Sequence, residues 1–208
     1  QNDHLILGLS GGIDSVVLLN ILLSFSHELK FTLTALHVNH GISLNANKWE
    51  NFCLDLCNIH NIPIKLVQLK INKLPGISLE ANARNARYQV FESLKADYVI
   101  LAQHIDDQAE TLLLQMIRGA GVKGLSAMPM VRDQIPKERD EGIHLRPKIL
   151  RPLLEISRKE IEGYAKDNKL SWIEDESNNN ISFSRNFLRH KILPALEIKF
   201  PSYRKTFL

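Results

Sequence analysis

HLILGLSGGIDS, residues 4–15, sets an apolar run against a turn of glycine and serine. His4–Leu9 has the length and content of a buried strand, and Val16–Leu19 resumes an apolar pattern directly after the turn. A strand that leads through such a turn into a helix is the junction where doubly wound parallel sheets bind nucleotides. Gly11 and Gly12 let the backbone take positive φ and approach a ligand closely. The first-turn N–H groups of the following helix, through Ile13, Asp14 and Ser15, lack intrahelical acceptors and favour an anion. Ser10 and Ser15 add hydroxyls. The stretch reads as a phosphate cradle; the plainer alternative is a Gly-Gly turn with Asp14 as a helix-start charge. It contains no lysine. G-x-x-x-x-G-K-[ST] occurs nowhere in the chain, and the turn itself is not G-x-G-x-x-G.

On the C-terminal side of this turn, strand-length apolar runs alternate with helix-period segments, the pattern of a parallel sheet with crossover helices. Strands are expected at Leu5–Leu9, Thr32–Asn39, Lys65–Leu69 and Tyr98–Gln103. Helices are expected at Asp14–Phe25, Ala46–His60, Leu79–Ala96 and about Asp106–Arg118. Gly, Pro and charge fill 119–144, and a loop or disordered excursion is expected over 131–148, with order at 132–144 left open. Ser157 and Glu160 form a capping box for a helix to about Lys169. Asn178–Asn180 mark a turn before a final helix, Ser182–Leu196.

The 44% hydrophobic and 24% charged fractions fit one globular domain with a real core. The chain opens without a basic-then-apolar leader and has no membrane-length apolar run, so it reads as cytoplasmic with no membrane partner. Cys53 and Cys57, the whole thiol inventory, stand four apart on one helical face and read as core fillers rather than a metal pair. Residues 185–208 carry six Lys/Arg against Glu197 alone, a solvated face or a contact for a polyanion.

Four further stretches carry chemistry: HVNHGIS (37–43), SLEANARNARYQVF (78–91), AQHIDDQAETLLLQMIRGAG (102–121) and WIEDESNNNISFSRNFLRHKILP (172–194). With S-G-G-x-D-S they resemble the N-type ATP pyrophosphatases, the PP-loop family. Within it, their order from Leu5 to about Pro194 is similar to that of the tRNA(Ile)-lysidine synthases. The family often has an arginine where this chain has Ser43, and a His pair where it has Gln103-His104.

The resemblance implies a Rossmann-like doubly wound parallel sheet of the adenine nucleotide alpha hydrolase type. It spans residues 1–130, with a helical extension over 149–208 and further C-terminal tRNA-binding domains beyond. It implies an ATP-dependent ligase. Cytidine O2 of an isoleucine tRNA with a CAU anticodon attacks the α-phosphate of ATP, pyrophosphate leaves, and the ε-amine of free L-lysine displaces AMP. The loop Ser10–Ser15 then grips pyrophosphate, and donors and Mg²⁺ take the place of the missing lysine.

Asp14 and Asp107, from two strand ends, are the metal candidates. Asp106 is expected to cap the helix. Glu110, one turn beyond Asp107, is the candidate for the ammonium or α-amine of the lysine, or else an exposed first-turn glutamate. His104 is a phosphate or substrate contact, or a satisfied strand-end histidine. Arg84 and Arg87 neutralise phosphate or read the cytidine, unless they form a solvated helix face. Arg151, Arg185, Arg189 and Lys191 are candidates for gripping the tRNA backbone, with plain surface charge an equal reading. A tRNA thiolase of the same family and a non-catalytic ATP-binding module are the alternatives. The oligomeric state stays open, a dimer included.

Overall fold

The computed structural model describes residues 2–41, 43, 45–71, 75–76, 79–133 and 146–207. Six strands form one sheet: β1 (His4–Gly8), β2 (Thr32–Asn39), β3 (Ile64–Gln68), β4 (Tyr98–Ile100), β5 (Val131–Arg132) and β6 (Lys148–Leu150). Their order is β3-β2-β1-β4-β6-β5; every pairing is parallel except that of β5 with β6. The helices are α1 (Ile13–Leu29), α2 (Ala46–Ile59), α3 (Leu79–Glu92), α4 (Ile105–Ile117), α5 (Val122–Leu125), α6 (Arg158–Asp167), α7 (Ser184–Phe187), α8 (Leu193–Lys199) and α9 (Tyr203–Thr206).

Side chains alternate across a strand, and β1 shows why both sheet faces are covered. Leu5, Leu7 and Leu9 pack on one face with Val17 and Leu18 of α1, Cys53 and Cys57 of α2, and Ile161 and Ala165 of α6. Ile6 turns to the other face, with Leu36, Val99, Phe91 of α3 and Leu94 just after it. Buried on both sides, the central strands read as continuous apolar runs rather than as alternation. The chain goes from β1 outward to β2 and β3, then returns to β4 on β1's other flank. That reversal is the switch point beside which open α/β sheets carry their ligands.

Two expectations need correction. The excursion placed over 131–148 yields to strands at both ends, β5 and β6, pairing Val131 with Leu150 and Arg132 with Ile149. Two- and three-residue strands are too short to leave a period in the sequence; residues 134–145 lie outside the described ones. The single final helix over Ser182–Leu196 is instead α7, a π-helical stretch at Leu188–Ile192, and α8. Pro194, in the first turn of α8, has no N–H and would clash with the carbonyl four residues back in a regular helix. The wider π turn accommodates it.

Candidate active site

The carboxyl ends of β1, β2 and β4 open into a cleft of about 1370 Å³. The turn after β1 forms its floor. Gly11 has φ +87°, and Ile173 donates its N–H to the Gly11 carbonyl at 2.9 Å. A Cβ on Gly11 would lie 3.1 Å from Ile173 Cδ1 and 3.3 Å from Cys53 Sγ. Ser15 Oγ accepts from the N–H groups of Ser10 and Gly11, both at 3.2 Å, and donates to the Gly12 carbonyl at 2.9 Å. Gly12 N–H donates to Ser10 Oγ at 3.3 Å. The serines thus hold the loop's shape. No side chain caps α1, so the first-turn N–H groups of Ile13, Asp14 and Ser15 retain their anion-favouring character. Ile13's own side chain is core.

Asp14 and the start of α4 meet at His104. Its Nε2 lies 3.7 Å from Asp14 Oδ1 and 3.6 Å from Asp107 Oδ2, and its Nδ1 lies 3.5 Å from Asp106 Oδ2. Burial works against charge on this imidazole, but the contacts with Asp106, Asp107 and Asp14 outweigh it and hold the pKa above the ordinary histidine value. His104 is buried, so it is an electrostatic hub rather than a solvent-facing contact. Asp107 also accepts the His104 N–H at 3.1 Å. Asp106 accepts the Arg158 N–H at 3.0 Å and pairs with Arg204 Nε, so it joins α4 to α6 and α9. Burial opposes its charge, but His104 first, then the Arg158 N–H and Arg204, hold the carboxyl well below the usual carboxylate range.

Glu110 is fully buried. Arg189 Nε approaches its Oε1 at 2.6 Å and Arg185 Nη1 its Oε2 at 3.4 Å; Arg189 Nη2 also reaches Asp107 at 3.4 Å. Burial pushes the Glu110 carboxyl up, against the pull of Arg189. Arg185 and Arg189, expected to face the tRNA backbone, instead point inward to these acids.

Arg87 also belongs to the cleft: its Nε is buried without a hydrogen-bond partner, and desolvation and the charges of Arg84 and Arg185 lower its pKa. Arg84 stacks 5.2 Å from the centre of the Tyr88 ring, with Arg132 at 5.6 Å. Arg151 is a correction. It is 1% exposed, donating to the Pro129 carbonyl at 2.7 Å, to the Gln103 side-chain oxygen and to Tyr88 Oη at 3.4 Å. A guanidinium sealed in this way grips no backbone; it braces the strand end after β6, and Gln103 serves the same brace.

Sequence reasoning missed Arg158, whose Nη1 donates to both oxygens of Asp14 at 2.8 Å, and Arg204. The capping box at Ser157 placed the helix start but not the direction of its first side chain. It also missed His40, whose Nδ1 is buried without a partner. Burial, then Arg87 and His37, lower the pKa of His40 to about 4.

Asp14 and Asp107 converging on one nitrogen suit a magnesium ion, which takes one or two carboxylates plus substrate phosphates rather than an all-protein cage. No helix among the described residues is long and apolar enough to cross a membrane.

The sequence pattern of the PP-loop domain matches residues 1–196. The chain belongs to the PP-loop domain family. This PP-loop domain is 54% identical over 98% of its length to a protein of Nitrosomonas europaea named tRNA(Ile)-lysidine synthase, covering 43% of that relative. It is 43% identical over 97% of its length to the protein of the same name from Coxiella burnetii, again covering 43%. The chain thus spans less than half the length of these curated relatives. Among solved structures, the U34-tRNA thiolase NcsA from Methanococcus maripaludis, with its [4Fe-4S] cluster, matches at TM-score 0.79 and 20% identity. That match covers 100% of this chain and 70% of the thiolase, a likeness of fold.

Proposed function

We propose that this PP-loop domain carries the ATP-dependent joining of L-lysine to C2 of the wobble cytidine in an isoleucine tRNA with a CAU anticodon. The observation that carries the reading is the convergence of Asp14, Asp107 and Glu110, with the arginines that face them, beside an uncapped helix N-terminus. Cytidine O2 attacks the α-phosphorus of ATP and pyrophosphate leaves; the lysine ε-nitrogen then attacks C2 and AMP leaves. Residues 10–15 hold the pyrophosphate through backbone N–H groups, with Ser10 and Ser15 fixing the loop. Magnesium held by Asp14 and Asp107 supplies charge neutralisation at the phosphates when bound. Arg87, with an unused donor in the cleft, answers the remaining negative charge or the cytidine carbonyl. The lysine ammonium reaches Glu110 by displacing Arg185, the longer of its two contacts, and gives up a proton to that carboxylate, leaving the neutral ε-amine that attacks C2. Arg84 and Arg132, stacked on Tyr88, offer a basic aromatic surface to a splayed anticodon loop.

Support comes from the names of the relatives and from the thiols. A thiolase needs reactive cysteines, but burial pushes Cys53 up to about 12 and Cys57 to about 11, leaving both protonated and inert. The test is pyrophosphate release from ATP by the full-length protein. Release should require both lysine and the tRNA; if neither addition raises it above background, the reading fails.

A further inference from the structure

Arg158 opens α6 and reaches across to α1. Its Nη1 donates to Asp14 Oδ1 and Oδ2 at 2.8 Å each, and its Nε donates to Glu162 Oε1 at 3.0 Å. Ser157, Arg158 and Lys159 line the cleft with the loop 10–15. A stability role explains this arrangement poorly. The Arg158 side chain is 41% exposed and Asp14 28%, and exposed ion pairs add little to folding. The contact between α1 and α6 is secured without it, by buried Ile161 and Ala165 and by Tyr164 Oη donating to Asn20 Oδ1 at 2.9 Å. What the pair does is cover both oxygens of the carboxylate that the nucleotide site needs. Each carboxylate oxygen keeps a second lone pair, but a metal cation arriving on Asp14 is repelled by the guanidinium held there, so metal binding loosens Arg158 from Asp14. Glu162, one turn on, keeps the freed guanidinium at the mouth of the cleft. A planar cation placed beside a phosphate cradle pairs with phosphate oxygens.

We infer that Arg158 is a phosphate-binding residue of the nucleotide site, held on Asp14 until the metal takes that carboxylate. The inference rests on the reading of residues 10–15 as a nucleotide loop. Its consequences run in opposite directions, which a mere tether would not produce. In the nucleotide-free protein Arg158 competes with the metal; in the nucleotide complex it assists binding.

The test uses the full-length protein with Arg158→Gln and Arg158→Lys, and two binding measurements that need no turnover. Mn²⁺ alone, followed by its electron paramagnetic resonance, should bind the nucleotide-free Arg158→Gln protein several-fold more tightly than the unsubstituted one. ATP with the metal should bind that variant about tenfold more weakly, and pyrophosphate release should fall about a hundredfold. Arg158→Lys should recover part of the ATP affinity, as a point charge without the fork. Unchanged Mn²⁺ and ATP affinities in Arg158→Gln, with or without a lower melting temperature, would reduce Arg158 to a tether and overturn the inference. An unsubstituted protein that binds ATP but releases no pyrophosphate with lysine and tRNA would sink the proposed reaction, while both binding arms would still decide Arg158.

Discussion

Arg189 Nε stands 2.6 Å from Oε1 of Glu110, a carboxylate with no exposed surface. The two residues lie 79 positions apart, and the pair fastens the C-terminal helices to α4. Removing one partner strands a buried charge. Arg189→Ala is expected to lower stability by roughly 3 kcal/mol in urea unfolding, with Arg185 compensating in part. The double variant Glu110→Leu with Arg189→Met should recover much of that loss, because the fully buried carboxylate is gone while Arg185 keeps Thr111 and Asp107 keeps His104, yet remain without lysine- and tRNA-dependent pyrophosphate release. A double variant as unstable as Arg189→Ala alone would show that the pair does more than neutralise itself.

The same pair marks how far the sequence could be read. The first four strands and their membership of a parallel sheet were legible because strand-length runs alternate with helix-period segments; their order in the sheet was not. The loop was legible because S-G-G-x-D-S packs its meaning into six residues. Asp107 and Glu110 could be placed on one helix face by spacing alone. What spacing could not supply was the partner of each acid. Arg158, Arg185, Arg189 and Arg204 come from the C-terminal third, where side-chain direction depends on a π turn forced by Pro194 and on tertiary packing. Arg151 read as surface charge for the same reason: a basic residue before Pro152 gives no sign of the carbonyl and amide waiting inside.

Gly11→Ala tests the floor of the site. The residue sits at φ +87°, and a methyl group would press on Ile173 and Cys53 at 3.1 and 3.3 Å. Strain of the backbone and the crowding together should cost about 1–3 kcal/mol. Because Gly11 itself is part of the loop and must shift to relieve the contact, ATP affinity should fall further than stability implies. Calorimetric ATP titration well below the melting temperature separates the two; full affinity in a folded Gly11→Ala protein would mean that the loop's shape is not what binds the nucleotide.

Arg151→Met separates bracing from RNA binding. The change leaves the Pro129 carbonyl and the Gln103 amide oxygen without their donor in a part-buried site, an expected loss of about 1–3 kcal/mol. A residue that touched the tRNA backbone would also flatten the dependence of log affinity on log salt by about one. The expected result is a lower melting temperature with an unchanged salt slope, measured by filter binding at a temperature where the variant is folded. A shallower slope would return Arg151 to the RNA-contacting set.

His40 sets the acid side of the pH–stability curve. Burial first, then the charges of Arg87 and His37, lower its pKa from 6.5 to about 4, so the folded protein holds it neutral where the unfolded chain would protonate it. For a depressed pKa the contribution to stability is complete above the unfolded value, about 6.5, and is lost as pH falls through the interval down to about 4. The loss amounts to roughly 3 kcal/mol across that interval. Asp106, held lower still, adds its own loss only at more acidic pH. Urea unfolding at pH 7 and at pH 5 should therefore show a drop that is much smaller in His40→Gln, which cannot take up the proton. Equal drops in both proteins would mean that His40 is already solvated, and that its neutral imidazole is not part of the cleft's electrostatics.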